Sequence, residues 1–371
     1  MNNVSRRDFL KSLGAVSALL IAGRSGLTFA AAQEKPYEFL VIGDSLIWGQ
    51  GLEEKDKFYT LTHEWLKTTA FGKPRAVNMK VEAHSGATLK LHAEEVEKFK
   101  KAGHDETHYY PPEVNVSSPS SWKQIEVAAD EYRAAGIKGA DLVMISGGIT
   151  DITTSGVYNP KGNDDELRTW IKKYCQDDMF DVLDLAATKN PDAKMVVIGY
   201  FPAISPKSDK KKIFNAWLEV LSFPRAFKWT VNNSLVRPFY FEKPNKRGIE
   251  RSRIWIEEST RHLKLAVDRI NQKYGAGRAV FVESPLTEDN SAEAPNTLLF
   301  RMGKGGVVKD PMAQSRIKDC RKALPELKAA TGIDYPVRLC EVASIGHPDP
   351  AGSRAYAEAI KKVLGPVLRQ P

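Results

Sequence analysis

The chain has 371 residues, 42% hydrophobic and 27% charged, a balance that fits a soluble globular protein with a sizeable core. Its formal charge is +8, of which residues 1–32 carry +3 (Arg6, Arg7, Lys11 and Arg24 against Asp8). The basic residues are spread along the chain without a stripe of interleaved aromatics, which argues against a nucleic-acid partner and leaves attraction to anionic surfaces open.

The chain starts with Ser5-Arg6-Arg7-Asp8-Phe9-Leu10-Lys11, which matches the twin-arginine export pattern. A modest apolar run follows at 13–23. It is shorter than the stretch of about 20 residues that a helical span requires. Ala30-Ala31-Ala32 offers a small-residue cleavage site and would leave Gln33 as the first mature residue. We therefore expect residues 1–32 to be an export signal read by the twin-arginine machinery. The mature protein is then periplasmic or secreted, bacterial, and without a stable membrane span. An uncleaved anchor is the competing reading. No cysteine precedes Cys175, which excludes lipoprotein anchoring near the signal.

From residue 33 onward, apolar runs alternate with helical patterns. The runs at 37–42, 77–83, 141–145, 194–198 and 279–282 read as strands. Helical patterns lie at 56–68, 122–135, 166–187 and 251–274, with a last one at 351–364. This alternation predicts an α/β fold with a parallel sheet covered on both faces, and right-handed crossovers bring the strand C-termini to one edge. Two segments interrupt the pattern. Residues 100–121 are polar, with prolines and serines, and read as a long loop. Residues 207–246 open on Lys207, Lys210, Lys211 and Lys212 and then turn aromatic, from Phe214 and Trp217 to Phe239, Tyr240 and Phe241. This insertion is either a lid or acyl-chain pocket over the sheet edge, or a unit whose aromatics pack on their own small core. Three cysteines leave Cys320 and Cys340 free to pair in an oxidising compartment, with Cys175 on an apolar helix face.

The most informative segment is Gly43-Asp44-Ser45-Leu46-Ile47-Trp48-Gly49-Gln50-Gly51, directly after the first strand. A serine at the C-terminal end of a buried strand stands where open α/β folds place ligands. Far downstream, Gly346-His347-Pro348-Asp349-Pro350 precedes the last helical pattern, so its imidazole can reach the same edge. The segment Ala83-His84-Ser85-Gly86 follows the second strand, and Ser146-Gly147-Gly148-Ile149-Thr150-Asp151 follows the third. In this order the four segments resemble the signatures of the GDSL, or SGNH, family of serine esterases and lipases. The resemblance spans roughly residues 37–364, without the insertions.

That resemblance implies a three-layer α/β/α sandwich of flavodoxin-like, SGNH hydrolase type. It implies Ser45 as nucleophile, His347 as general base, and Ser45, Gly86 and Thr150 as oxyanion-hole positions. Two positions depart from the family pattern. Thr150 stands where the family has an asparagine, and Ser344 stands where it has an aspartate three residues before the histidine. The Ser344 hydroxyl or a backbone carbonyl is the candidate to orient His347, with Glu341 and Asp349 as alternatives. No cofactor is needed. The expected function is an exported serine esterase acting on a lipid, acylated-glycan or small ester. A binding module with weak or lost catalysis and an acyltransferase using the same acyl-enzyme are the alternatives.

One other cluster has ligand chemistry: His92, Glu94, Glu95, His104, Asp105 and His108. His104 and His108 have the i, i+4 spacing of a helical metal site. The surrounding lysines and glutamates favour a solvated face, so no metal is expected.

Overall fold

The structure is a computed structural model that describes residues 34–369 except 109, 221–240, 304 and 305. The expected export signal at 1–32 and the middle of the aromatic insertion lie outside the described residues. The chain divides into two units, Met1–Lys35 and Pro36–Pro371, and every element named below belongs to the second.

Five strands form one sheet: β1 (Tyr37–Gly43), β2 (Val77–Val81), β3 (Leu142–Ser146), β4 (Lys194–Ile198) and β5 (Ala279–Val282). All pairings are parallel, and the order is β2-β1-β3-β4-β5. This is the flavodoxin-like order, and the fold is the expected three-layer α/β/α sandwich. Every residue of β1 and β3 is buried, as a strand covered on both faces requires. The edge strand β2 is only half-buried and carries Lys80, which pairs with Glu131.

Before β3 come helices α1 (Ser45–Trp48), α2 (Phe58–Thr68), α3 (Ala93–Lys101) and α4 (Ser121–Ala134). Between β3 and β5 come α5 (Asp164–Lys172), α6 (Met179–Lys189), α7 (Lys210–Val220) and α8 (Lys243–Tyr274). After β5 follow α9 (Ala313–Thr331), α10 (Val337–Glu341) and α11 (Pro350–Leu368). The chain moves one way from β1 to β2 and the other way thereafter. Right-handed crossovers then put α4, α6 and α8 on one face and α2 and α11 on the other, as the packing shows.

Three expectations are corrected in detail. The helix expected at 166–187 spans α5 and α6 without a break, but it widens into a π-type segment at Lys173–Asp178, with Cys175 buried inside it. The helix expected from 251 starts at Lys243, so the end of the insertion belongs to the main body. Helix α9 was not expected at all; it contains Pro325, which sequence reading takes as a breaker.

A second, smaller core joins the loop after α3 to the segment after β5. Phe99, Tyr110, Val114 and Val116 pack there on Leu324, Leu327 and Ile333. Cys320 of α9 is disulfide-bonded to Cys340 of α10 within the same core, and Cys175 is free and buried. Among the described residues, no helix is long and apolar enough to cross a membrane.

Candidate active site

The chain reverses its direction of travel across the sheet between β1 and β3, the place where open α/β sheets hold ligands. Ser45 sits there, at the first position of α1 directly after β1. Asp44 caps α1 by accepting the Leu46 N–H at 3.0 Å. Its carboxylate is fully buried and also accepts the Ser146 hydroxyl at 2.5 Å and the Tyr200 hydroxyl at 2.6 Å. Burial pushes the Asp44 pKa up, and these donors pull it back only in part. The turn that presents Ser45 is thus fixed from three sides.

His347 arrives from the loop between α10 and α11. That loop pairs with the segment at 298–300: the Phe300 N–H donates to His347 O at 2.9 Å, and the Gly346 N–H donates to Phe300 O at 3.0 Å. His347 Nε2 lies 2.8 Å from Ser45 Oγ, across 302 residues of sequence. This is the distance of a nucleophile–base hydrogen bond. Ser45 is 6% exposed.

The pKa of His347 falls to about 4, first because the ring is buried and second because the Arg316 guanidinium opposes a charged imidazole. The carbonyls of Ala343, Ser344 and Ile345 counter this weakly, yet none closes a hydrogen bond of ordinary geometry, and Nδ1 has no partner among the described residues. For Nε2 to accept the Ser45 proton, Nδ1 must carry the ring proton, so this donor is buried and bare.

Gly86 comes close to the crossing chain at 115–116. Its φ is +82°, and a Cβ would lie 2.5 Å from Asn115 Oδ1 and 2.7 Å from Val116 N. Only glycine fits. Neither the Ser45 nor the Gly86 N–H donates to a protein acceptor among the described residues.

Thr150 and Ser344 differ from expectation. The Thr150 hydroxyl donates to Ala87 O at 2.6 Å, so its single hydrogen is committed to the backbone and not available to an oxyanion. The Ser344 hydroxyl does not reach His347. It donates to Asp310 Oδ2 at 2.7 Å and accepts from Arg316 Nη2 at 3.1 Å. Glu341 is held by Arg321 and Arg338, and Asp349 caps α11 through the Ala351 and Gly352 N–H groups. Neither orients the imidazole.

His104 and His108 lie in the turn after α3 and not on a helix, with their rings 4.2 Å apart. Among the described residues no three His, Cys, Asp or Glu side chains are grouped to hold a metal ion.

Sequence reading missed the buried ions around Ser344. Arg316 on α9 lies between Asp310 and Glu113, and all three are at most 5% exposed. Their positions in unassigned loops and in an unexpected helix gave no signal. A charged side chain in such a segment reads as solvated until the tertiary partners are known.

No family model matches the chain, and no curated protein matches it. Among solved structures, the chain is similar to an extracellular lipase from Streptomyces rimosus, with 11% identity, a TM-score of 0.46, and 88% of this chain and 99% of that one covered. It is similar to phospholipase A1 from Streptomyces albidoflavus, with 11% identity, a TM-score of 0.41 and the same coverages of 88% and 99%. A carbohydrate esterase of family 2 from Corynascus thermopiles has 14% identity and a TM-score of 0.40, with 90% of this chain and 67% of that one covered.

Proposed function

We propose that this chain is a serine ester hydrolase in which Ser45 is the nucleophile and His347 the general base. One observation carries the reading: Ser45 Oγ and His347 Nε2 stand 2.8 Å apart at the C-terminal edge of the sheet. In the reaction, His347 Nε2 takes the proton as Ser45 Oγ attacks the ester carbonyl. The Ser45 and Gly86 N–H groups receive the oxyanion. His347 then protonates the leaving alcohol, and an acyl-enzyme remains. Water, deprotonated by the same imidazole, attacks the acyl group, and the imidazolium returns that proton to Ser45 Oγ as the carboxylic acid leaves.

The substrate class is a carboxylic ester on a lipid, a glycan or a small molecule. The described aromatics of the insertion pack on one another: Phe214 and Phe241 stack with ring centroids 4.5 Å apart. This supports an insertion with its own core over an open acyl pocket. Residues 1–32 supply the export signal in this reading.

A weakly active or purely binding site is the second reading, favoured by the bare Nδ1 of His347 and the committed hydroxyl of Thr150. One experiment separates the two. The purified protein is treated with a fluorophosphonate probe and assayed on esters of graded chain length, beside Ser45→Ala. Labelling and turnover that disappear in Ser45→Ala establish the hydrolase. A wild-type protein that takes no label and turns over no ester is a binding module.

A further inference from the structure

Beneath the Ser45–His347 pair lies a buried ion triad, Glu113–Arg316–Asp310. Arg316 Nη1 donates to Glu113 Oε2 at 2.9 Å and to Asp310 Oδ1 at 2.9 Å, and Nη2 donates to Asp310 Oδ2 at 2.6 Å. Each end of the triad grips one catalytic segment. Glu113 accepts from Trp48 Nε1 at 2.8 Å, from Gln50 Nε2 at 3.0 Å and from the Gly51 N–H at 3.2 Å. These three residues close the turn that begins at Ser45. At the other end, Asp310 accepts the Ser344 hydroxyl, and Arg316 Nε donates to Glu341 O at 3.2 Å. Ser344 and Glu341 belong to the segment that leads into His347. The two segments also touch directly, since a Cβ on Gly51 would lie 2.7 Å from the Ser344 Cβ.

The disulfide strengthens the same link. Cys320 is one helical turn beyond Arg316 on α9, and its bond to Cys340 ties that helix to α10, just ahead of the His347 loop.

We propose that Arg316 is a positioning residue for the Ser45–His347 pair: its fork clamps the nucleophile segment to the base segment and takes the structural place of an orienting aspartate. The inference rests on the ester-hydrolase reading above. The hydrogen bonding explains why position and not charge is what the triad supplies to the ring. The two carboxylates accept from Arg316, Ser344 and the Trp48–Gly51 turn and not from the imidazole, so neither is placed to stabilise an imidazolium. Of the other charged groups on the segments around the ring, Glu341 is held by Arg321 and Arg338, and Asp349 by the start of α11. Burial first and the positive charge of Arg316 second keep His347 neutral to low pH. The clamp thereby also lowers the acid limit that burial sets for the base.

The test reads Ser45 reactivity directly. The rate of labelling by a fluorophosphonate is measured from acid to alkaline pH for the wild type, Arg316→Lys, Arg316→Gln and Ser344→Ala, with near-ultraviolet circular dichroism as the check on folding. Lysine keeps the charge but cannot reach all the acceptors of the fork. Its plateau rate should fall about tenfold or more while the acid limb stays in place. Glutamine removes the charge, so the plateau falls and the limb moves up by about one pH unit. Ser344→Ala removes one hydroxyl, leaves the ion triad intact and so keeps the fold. Its plateau rate should fall several-fold. Folded variants that label at the wild-type rate with the wild-type acid limb overturn the clamp. A wild type that labels elsewhere than Ser45, or not at all, overturns the hydrolase reading and the clamp with it. Ser45-dependent labelling of the wild type leaves the hydrolase reading standing, whatever the variants do.

Discussion

Ser344 stands three residues before His347, where the esterase signature would place an aspartate, and its surroundings explain why an aspartate does not fit here. Its hydroxyl is fully buried and lies 2.7 Å from Asp310 Oδ2. A carboxylate in its place would face a second carboxylate at contact distance, and the Arg316 guanidinium beside it is already shared between Asp310 and Glu113. Like charges this close cannot both stay ionised. Ser344→Asp is therefore expected to destabilise the fold by about 3 kcal/mol and to leave Ser45 labelling no faster than in the wild type. Thermal unfolding and probe labelling check the two parts, and an accelerated Ser45 would show that the added carboxylate reaches Nδ1. The departures at Thr150 and Ser344 were both visible in the sequence. Their consequences were not, because a hydroxyl forms its bond with whatever acceptor the tertiary fold brings near. For Thr150 that acceptor is Ala87 O, and for Ser344 it is Asp310, 34 residues away.

Helix α9 and the short helix α10 show what element patterns reveal and what they hide. The strands of the sheet were legible because each is a short apolar run bounded by turn residues, while their flavodoxin-like order was implied only by the resemblance of the site segments. Helix α9 is different. Pro325 interrupts its pattern, and on its buried face Cys320, Ala323, Leu324 and Leu327 pack in a satellite core, not against the sheet. No periodicity in a single segment reveals a core shared with the loop at 110–116. The Cys320–Cys340 bond staples that core, closing a sequence separation of 20 residues. In the chain-entropy account such a loop is worth about 3 kcal/mol. The double substitution Cys320→Ser/Cys340→Ser should lower stability by about that amount. Reductant should shift the urea midpoint of the wild type in the same direction, since Cys175 is buried and unpaired. Equal midpoints with and without reductant would show that hydrophobic contacts alone hold α9 in place.

Over the whole molecule, the edge of the sheet that carries Ser45 is also where buried ionisable groups gather, and their signs oppose one another. His84 is fully buried after β2, with Nδ1 2.9 Å from Ser85 O and Nε2 3.2 Å from Tyr110 O. Burial lowers its pKa to about 4. The unfolded chain takes up that proton at about pH 6.5. The His84 contribution to stability is therefore complete above that value and is lost as pH falls through about 4. Asp151 runs the other way. It is buried beneath Thr150 and accepts the Leu89 N–H at 3.0 and 3.2 Å. Burial raises its pKa to about 7, helped by the nearby carboxylates of Asp178 and Asp44 and resisted by the Leu89 N–H. In the unfolded chain it ionises at about pH 3.9. Its contribution is complete below that value and is lost as pH rises through about 7. Between these limits the two slopes cancel, and above neutral pH the cost of the charged Asp151 stands alone. Asparagine has the shape of the protonated acid and keeps an acceptor for Leu89. Asp151→Asn should thus match the wild type near pH 4 and exceed it near pH 8.5, by up to about 4 kcal/mol on the full shift. Urea unfolding at the two pH values measures the difference. A variant that gains nothing on the alkaline side would mean that Asp151 is ionised in the folded protein throughout.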